Sequence, residues 1–453
     1  MPGTLTPSDT TDDLPEYSHV IEHLRPPPSI DIGRSSGFIT SHAFYLRDGH
    51  GRPWMTLSLQ SRAQSAKYLP VYCENDAITG ELTLDLSGAE TLKGITLTLK
   101  GSLTATGQDE IVFISETQEL WSPLSPASSE RFPSGTHTFP IFFPLPSEAS
   151  FTFNRGPPQS HRLPPTFSER ASPVYVDYRL TVSMRRSGIS PNRKLSTGLA
   201  YVPREVAQKP SLMRMLAYQE GTPLLGPDED PPGWRVLEPF NIQGTLFDTR
   251  SINVQCKFAI ATPTSYVTGS PIPLFLTLRS TDVHALDLLA PGMNVRLARL
   301  LAVGNVATDE SVARRSNNTF VTPVAKAVFW PASPPSPDLD KARVENGERI
   351  LHGELHIPKG VKPSFVFPKI SMRYQVLFFP PMSSGFVSST PPDTPLTAEP
   401  VTITLHKPPG VVYRSFAPPG YDVAPDPVNF NIATGFLENG NQRFIEIGHH
   451  HQY

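Results

Sequence analysis

Cysteine is nearly absent from this chain: Cys73 and Cys256 are the only two in 453 residues, and they lie far apart. That scarcity argues against a disulfide scaffold and fits a reducing compartment. Each sits among apolar neighbours and reads as a small buried side chain. A basic excess is lacking too, with 39 Lys and Arg against 42 Asp and Glu and a net charge of -3. Nothing there neutralises a phosphate backbone, so nucleic acid is not an expected partner. No apolar run approaches the ~18 residues that cross a bilayer, and Met1 to Leu14 holds no hydrophobic signal region. A cytoplasmic protein is therefore expected. Glycine-rich phosphate loops, zinc-ligand spacings and an H-E-x-x-H helix are all missing. No cofactor and no metal are expected.

Proline is what the chain has in quantity, with 51 residues, about twice the usual share. Proline ends helices and is excluded from central strands, so many short strands joined by rigid loops fit better than helical bundles or doubly wound folds. The clearest pattern is Ala77 to Gly101. Leu82, Leu84 and Leu86 alternate with polar residues, and after Ser87-Gly88-Ala89-Glu90 so do Ile95, Leu97 and Leu99. Period-two alternation predicts two strands, each with one buried face, and the short connection reads as an antiparallel pair. Leu84 and Leu97 are expected in the first core. Val174 to Ser183 is the longest clean alternation. Gly135 to Phe143 reads as a strand with Pro140 at a bulge or edge.

A second module opens at Ile252. Strands are expected over Ile252–Ile260, Ile272–Leu278, Val295–Val303, Ile370–Phe378 and Val401–Leu405. The halves echo each other: Leu163-Pro164-Pro165-Thr166-Phe167 precedes a strand with a central Tyr178, and Val361-Lys362-Pro363-Ser364-Phe365 precedes one with Tyr374. Two diverged copies of one β-sandwich are the simplest explanation. The expected organisation is a disordered tail over 1–36, a first domain over 37–203, an exposed linker over 204–238 with a helical turn or two at Ser211 to Tyr218, a second domain over 239–407, and a disordered proline-rich tail over 408–453.

From Gly37 to Lys407 this order of strands and loops resembles the arrestin family. The pieces are Leu82 to Gly101, Leu120-Trp121, Gly135 to Pro146, Leu163 to Phe167 and Val174 to Arg185 in the first half. In the second they are Gly269 to Leu278, Gly353 to Pro358 and Ser364 to Val376. The resemblance implies an all-β fold of two tandem immunoglobulin-like sandwiches, without catalysis. Fungal α-arrestins are the nearest in kind, because Pro418-Pro419-Gly420-Tyr421 matches P-P-x-Y, a ligand of WW domains. Successive prolines preset a polyproline II helix for an aromatic groove, and the tyrosine fills the next pocket. Leu14-Pro15-Glu16-Tyr17 is a weaker relative, so Leu14, Pro15 and Tyr17 form a second candidate contact. Leu69-Pro70-Val71-Tyr72 has the same letters but reads as the start of a strand.

What the resemblance implies is an adaptor between membrane-protein cargo, such as cytosolic tails of transporters or receptors, and a WW-domain HECT-type ubiquitin ligase. Recruitment to the plasma membrane or endosomes would come through those partners. The alternative is a trafficking or signalling scaffold of the same fold that recruits no ligase. Arg185, Arg186, Arg193 and Lys194 are candidate phosphate ligands, against the plainer reading of a solvated hairpin rim. Gly33-Arg34-Ser35-Ser36-Gly37 has the letters of a nucleophile elbow, but triple proline precedes it and no helical period follows, so an esterase is set aside. His449-His450-His451 are adjacent and do not make a closed tetrahedral site.

Overall fold

The computed structural model describes residues 40–421, apart from 106–108, 124–130, 153–156, 170–171, 188–190, 305–306, 309–318 and 333–345. Strand dominates. The first half supplies β1 (Thr40–Arg47), β2 (Pro53–Ser61), β3 (Val71–Cys73), β4 (Ala77–Leu86), β5 (Glu90–Ala105), β6 (Ile111–Trp121), β7 (Arg131–Phe132), β8 (Gly135–Pro144), β9 (Glu148–Phe151), β10 (Gln159–Arg162), β11 (Val174–Arg186) and β12 (Arg193–Val202). Helix α1 (Leu212–Glu220) follows. The second half supplies β13 (Trp234–Val236), β14 (Phe240–Leu246), β15 (Arg250–Ala261), β16 (Ser265–Val267), β17 (Pro271–Arg279), helix α2 (Val283–Leu289), β18 (Asn294–Gly304), β19 (Thr319–Lys326), β20 (Val328–Pro331), β21 (Glu348–His356), β22 (Phe365–Phe367), β23 (Lys369–Phe379), β24 (Phe386–Ser388) and β25 (Thr397–Thr404).

Each half forms two main sheets. In the first they run β1-β2-β4-β8 and β3-β12-β11-β5-β6. In the second they run β20-β21-β17-β15-β14-β24 and β16-β25-β23-β18-β19. Among the described strands pairing is antiparallel except at one matched place in each half, where β3 runs parallel to β12 and β16 to β25. Pro140 sits opposite Glu81 on β8, an edge strand where a missing N–H costs no ladder bond.

The stretch 82–101 corrects one expectation. Its two strands are not partners: β4 lies between β2 and β8, and β5 lies between β11 and β6. Ser87 to Ala89 therefore carry the chain from one sheet to the other. Leu82, Leu84, Leu86, Ile95, Leu97 and Leu99 are nevertheless all buried in one core. Alternation fixes which face a residue occupies and is the same for a hairpin and for a sheet-to-sheet connection.

The internal echo holds at the level of single hydrogen bonds. Tyr178 donates its hydroxyl to the Pro164 carbonyl at 2.6 Å, and Tyr374 donates to Lys362, the equivalent position, also at 2.6 Å. Thr166 Oγ1 accepts from the Tyr201 N–H at 2.8 Å, as Ser364 Oγ accepts from Ile403 at 2.9 Å. Burial pushes both phenols up from their ordinary value, so they stay protonated donors. Tyr178→Phe and Tyr374→Phe should each destabilise by about 1–3 kcal/mol, because a buried carbonyl loses its partner. Urea unfolding checks this, and equal midpoints for the variants and the parent would sink it.

The two halves also meet. The Phe167 and Phe365 rings lie 6.0 Å apart, and Phe113 packs edge-on to Phe367 at 5.1 Å. Lys362 Nζ donates to the Ser168 carbonyl at 2.8 Å and sits 4.5 Å above the Phe167 ring. Glu169 of the first half binds Arg299 at 2.5 Å and Lys362 at 3.2 Å. All three side chains are at most 8% exposed.

In the connection Asp228, Glu229, Pro231 and Pro232 are exposed, as composition predicts, while a few side chains anchor it to the second half. Ser211 caps α1 by accepting from the Arg214 N–H, and Gly221 closes it in the left-handed region at φ 75°. Arg214 is buried. It donates to the Thr262 carbonyl at 2.8 Å and to that of Gly233, and stacks over Trp234 at 4.8 Å.

Candidate partner-binding site

Along β21 the buried Leu351 and Leu355 belong to the core. His352 and Glu354 alternate with them and face the other side of the sheet. On that side Trp330 pairs with His352 and Val328 with Glu354. Phe275 packs edge-on against His352 at 5.2 Å and against Trp234 at 5.8 Å. A sheet face this aromatic needs a cover. The linker supplies part of it and residues 408–421 supply the rest.

Composition predicts a tail from Pro408 onward. Pro408 to Tyr421 instead forms a strap. Val411 is buried, and Tyr413 meets Tyr218 of α1 edge-on at 5.9 Å. Phe416 stacks on the same Tyr218 ring at 5.9 Å. Glu354, only 4% exposed, takes hydrogen bonds from the Ser415 hydroxyl and the Phe416 N–H, both at 2.6 Å. Burial pushes the Glu354 carboxyl up from its ordinary value, while those donors and the Ala417 N–H pull it back. Strap and sheet are thus joined through a buried carboxylate whose lone pairs the strap itself satisfies.

The P-P-x-Y motif ends the strap. Tyr421 N–H donates to the Pro418 carbonyl at 3.0 Å, and Gly420 has φ 92°. Proline at the second position and a positive-φ glycine at the third make a type II turn, which a residue with a Cβ would strain. The tyrosine ring lies 6.4 Å from that of Trp330 and is 41% exposed. Pro418 is half-buried, while Pro419 and Gly420 are exposed. The motif is therefore at the surface but folded, where its sequence predicts an extended helix. Leu14, Pro15 and Tyr17 lie outside the described residues, as do the 33–37 elbow and the histidines 449–451.

Leu69-Pro70-Val71-Tyr72 enters β3 with Tyr72 buried, as expected. The basic candidates all sit at the β11–β12 hairpin end. Arg193 is opposite Met184 and Lys194 opposite Ser183, so these two leave the sheet on opposite faces. Arg186 is paired with Glu90 at 2.6 Å, and Arg185 is exposed beside Gly94. The four cations are near in the chain, but they are divided between two faces and one ion pair. Among the described residues no group of three His, Cys, Asp or Glu side chains is placed to hold a metal ion. No helix among them is long and apolar enough to cross a membrane. Cys73 and Cys256 are both buried thiols, raised above their ordinary pKa by burial.

The residues that hold the motif, Glu354, Trp330 and Tyr218, carry no signal in the sequence. They lie far from position 421 in the chain and have no motif of their own. The chain matches no protein-family model and no curated protein.

Proposed function

We propose that this protein is an arrestin-like adaptor of two tandem immunoglobulin-like sandwiches. In this reading it links cytosolic tails of membrane proteins to a WW-domain HECT-type ubiquitin ligase for ubiquitination and endocytic sorting. The fold part rests on the matched sheet pairs and the duplicated tyrosine-to-loop hydrogen bond of the two halves. The ligase part rests on one observation: Pro418, Pro419 and Tyr421 stand together at the surface, with the tyrosine exposed. Leu14, Pro15 and Tyr17 would add a second, weaker contact, and two short motifs could then engage tandem WW domains by effective concentration. The body would hold the cargo and perform no chemistry.

A peptide spanning Arg414 to Pro425, titrated into an isolated WW domain, tests the ligase part. Micromolar binding is expected from so small a contact. Tyr421→Ala should abolish most of it and Asp422→Ala little. Equal binding by the parent and Tyr421→Ala peptides would make the motif a coincidence of proline content. The second reading, a trafficking scaffold of the same fold without a ligase, is favoured by the turn itself, since a motif folded on Trp330 is not in the extended form a WW groove takes.

A further inference from the structure

We propose that Ser415 is a phosphorylation site whose modification releases the strap and frees the Pro418–Tyr421 motif for its partner, an inference that rests on the WW-binding reading above. Ser415 is exposed, yet its hydroxyl points at the one buried carboxylate that holds the strap. At 2.6 Å, two oxygens are held together only by the proton between them. Phosphorylation removes that proton. The Ser415 Oγ attacks the γ-phosphorus of a nucleoside triphosphate bound by a protein kinase. A new O–P bond forms, the bond to the bridging oxygen breaks, the nucleoside diphosphate leaves, and the hydroxyl proton passes to the kinase's base. The product carries about -1.5 to -2 charges and has no donor left at that oxygen.

The consequence follows from what surrounds Glu354. A phosphate dianion beside a carboxylate that is 4% exposed repels it in a poorly solvated place. No cation is paired with Glu354 among its hydrogen-bond partners, which are the strap's own hydroxyl and N–H groups. The pair escapes by separating. Separation also returns Glu354 to water, so the burial penalty it carries is relieved in the open state. With Ser415 displaced, the Phe416 and Ala417 N–H groups leave with it, because they are the next two residues on the same short segment. Phe416 then loses its place on Tyr218, and Tyr421 its place beside Trp330. Pro418, half-buried in the closed strap, becomes accessible on all sides. The freed prolines revert to the extended conformation that they preset. A partner that binds only the open form sees an affinity reduced by the open fraction, so the latch acts as a conformational tax that phosphate removes.

The experiment compares four proteins, all the full chain: the parent, the chain with phosphoserine installed at 415 by genetic code expansion, Glu354→Gln, and Glu354→Gln with phosphoserine. Each is titrated with an isolated WW domain, beside the peptide 411–425 with and without the phosphate. The peptide should bind alike in both forms. The parent chain should bind about tenfold or more weakly than the peptide, and the phosphorylated chain within about threefold of it. In Glu354→Gln the phosphate should make much less difference, because its repulsive partner is gone. Hydrogen exchange at the Phe416 amide reads the latch without the WW domain, and it should accelerate on phosphorylation. The latch is overturned if the parent chain already binds as tightly as the peptide, or if phosphate leaves the Phe416 amide as protected as before. A peptide that binds no WW domain defeats the ligase reading instead. The exchange measurement then decides the latch alone, with phosphate-dependent loss of protection supporting it.

Discussion

Glu169→Gln should cost about 3–5 kcal/mol of stability, because it leaves two buried cations facing each other without their anion. Glu169 is the only carboxylate bonded to Arg299 and Lys362 among the described residues. Arg299 is already strained for partners, since its Nε has none among the described residues. Guanidinium denaturation would show the loss as a lower midpoint. Replacing the whole cluster, Glu169→Leu with Arg299→Met and Lys362→Met, should restore most of it, since apolar residues of like volume remove the desolvation cost together with the attraction. A Glu169→Gln midpoint within error of the parent would mean that the two halves do not depend on this contact.

The same cluster predicts an unusual dependence on pH. Burial pushes the Lys362 ammonium down to about 8, with Glu169 opposing the shift. Its ordinary value is 10.5. The unfolded chain therefore binds this proton more tightly than the folded one. Stability is reduced below about 8 and recovers as pH rises toward 10.5, although the ion pair with Glu169 is lost on the way. Lys362→Met should flatten that segment of the stability profile relative to the parent.

How far the sequence foretold these contacts differs with their range. Tyr178 and Tyr374 were legible as a pair because each stands in an alternating strand soon after a Pro-Thr-Phe or Pro-Ser-Phe loop, and the bonds they make are local. The faces of β4 and β5 were legible because a period of two needs no partner. Their separation into two sheets was not, since nothing in a strand's pattern names its neighbour. Helix α2 escaped notice as well: seven residues capped by Asp282 are too few for a clear 3.6 period. At the candidate site the motif could be read from four consecutive letters. The turn that folds it follows from Pro419 and Gly420, but its seat beside Trp330, and the strap's on Glu354 and Tyr218, come from contacts that no local rule anticipates. The composition of 408–421 is that of a tail, but the aromatic face beneath it offers burial that a free tail would lack.

Leu97→Asp should cost several kcal/mol, on the order of a domain's whole stability. Leu97 is completely buried on β5, opposite Val182 and Gln118 on its neighbours, and Val182 is also completely buried. No cation lies among these sheet partners, so the new carboxylate would enter the core either charged and unpaired or protonated at a cost. Leu84→Asp on β4 should be of similar size, since that side chain is equally buried although its strand belongs to the other sheet. The informative comparison uses milder changes. Leu84→Ala and Leu97→Ala each leave a cavity, worth about 2–5 kcal/mol. If the leucines of the two sheets share one packed core, the double variant should depart from the sum of the singles by about 0.5–3 kcal/mol. Thermal unfolding of the full chain gives all four values. Strict additivity would mean that the two side chains neither touch nor share a cavity, and an unchanged melting curve for Leu97→Asp would put that residue on the wrong face altogether.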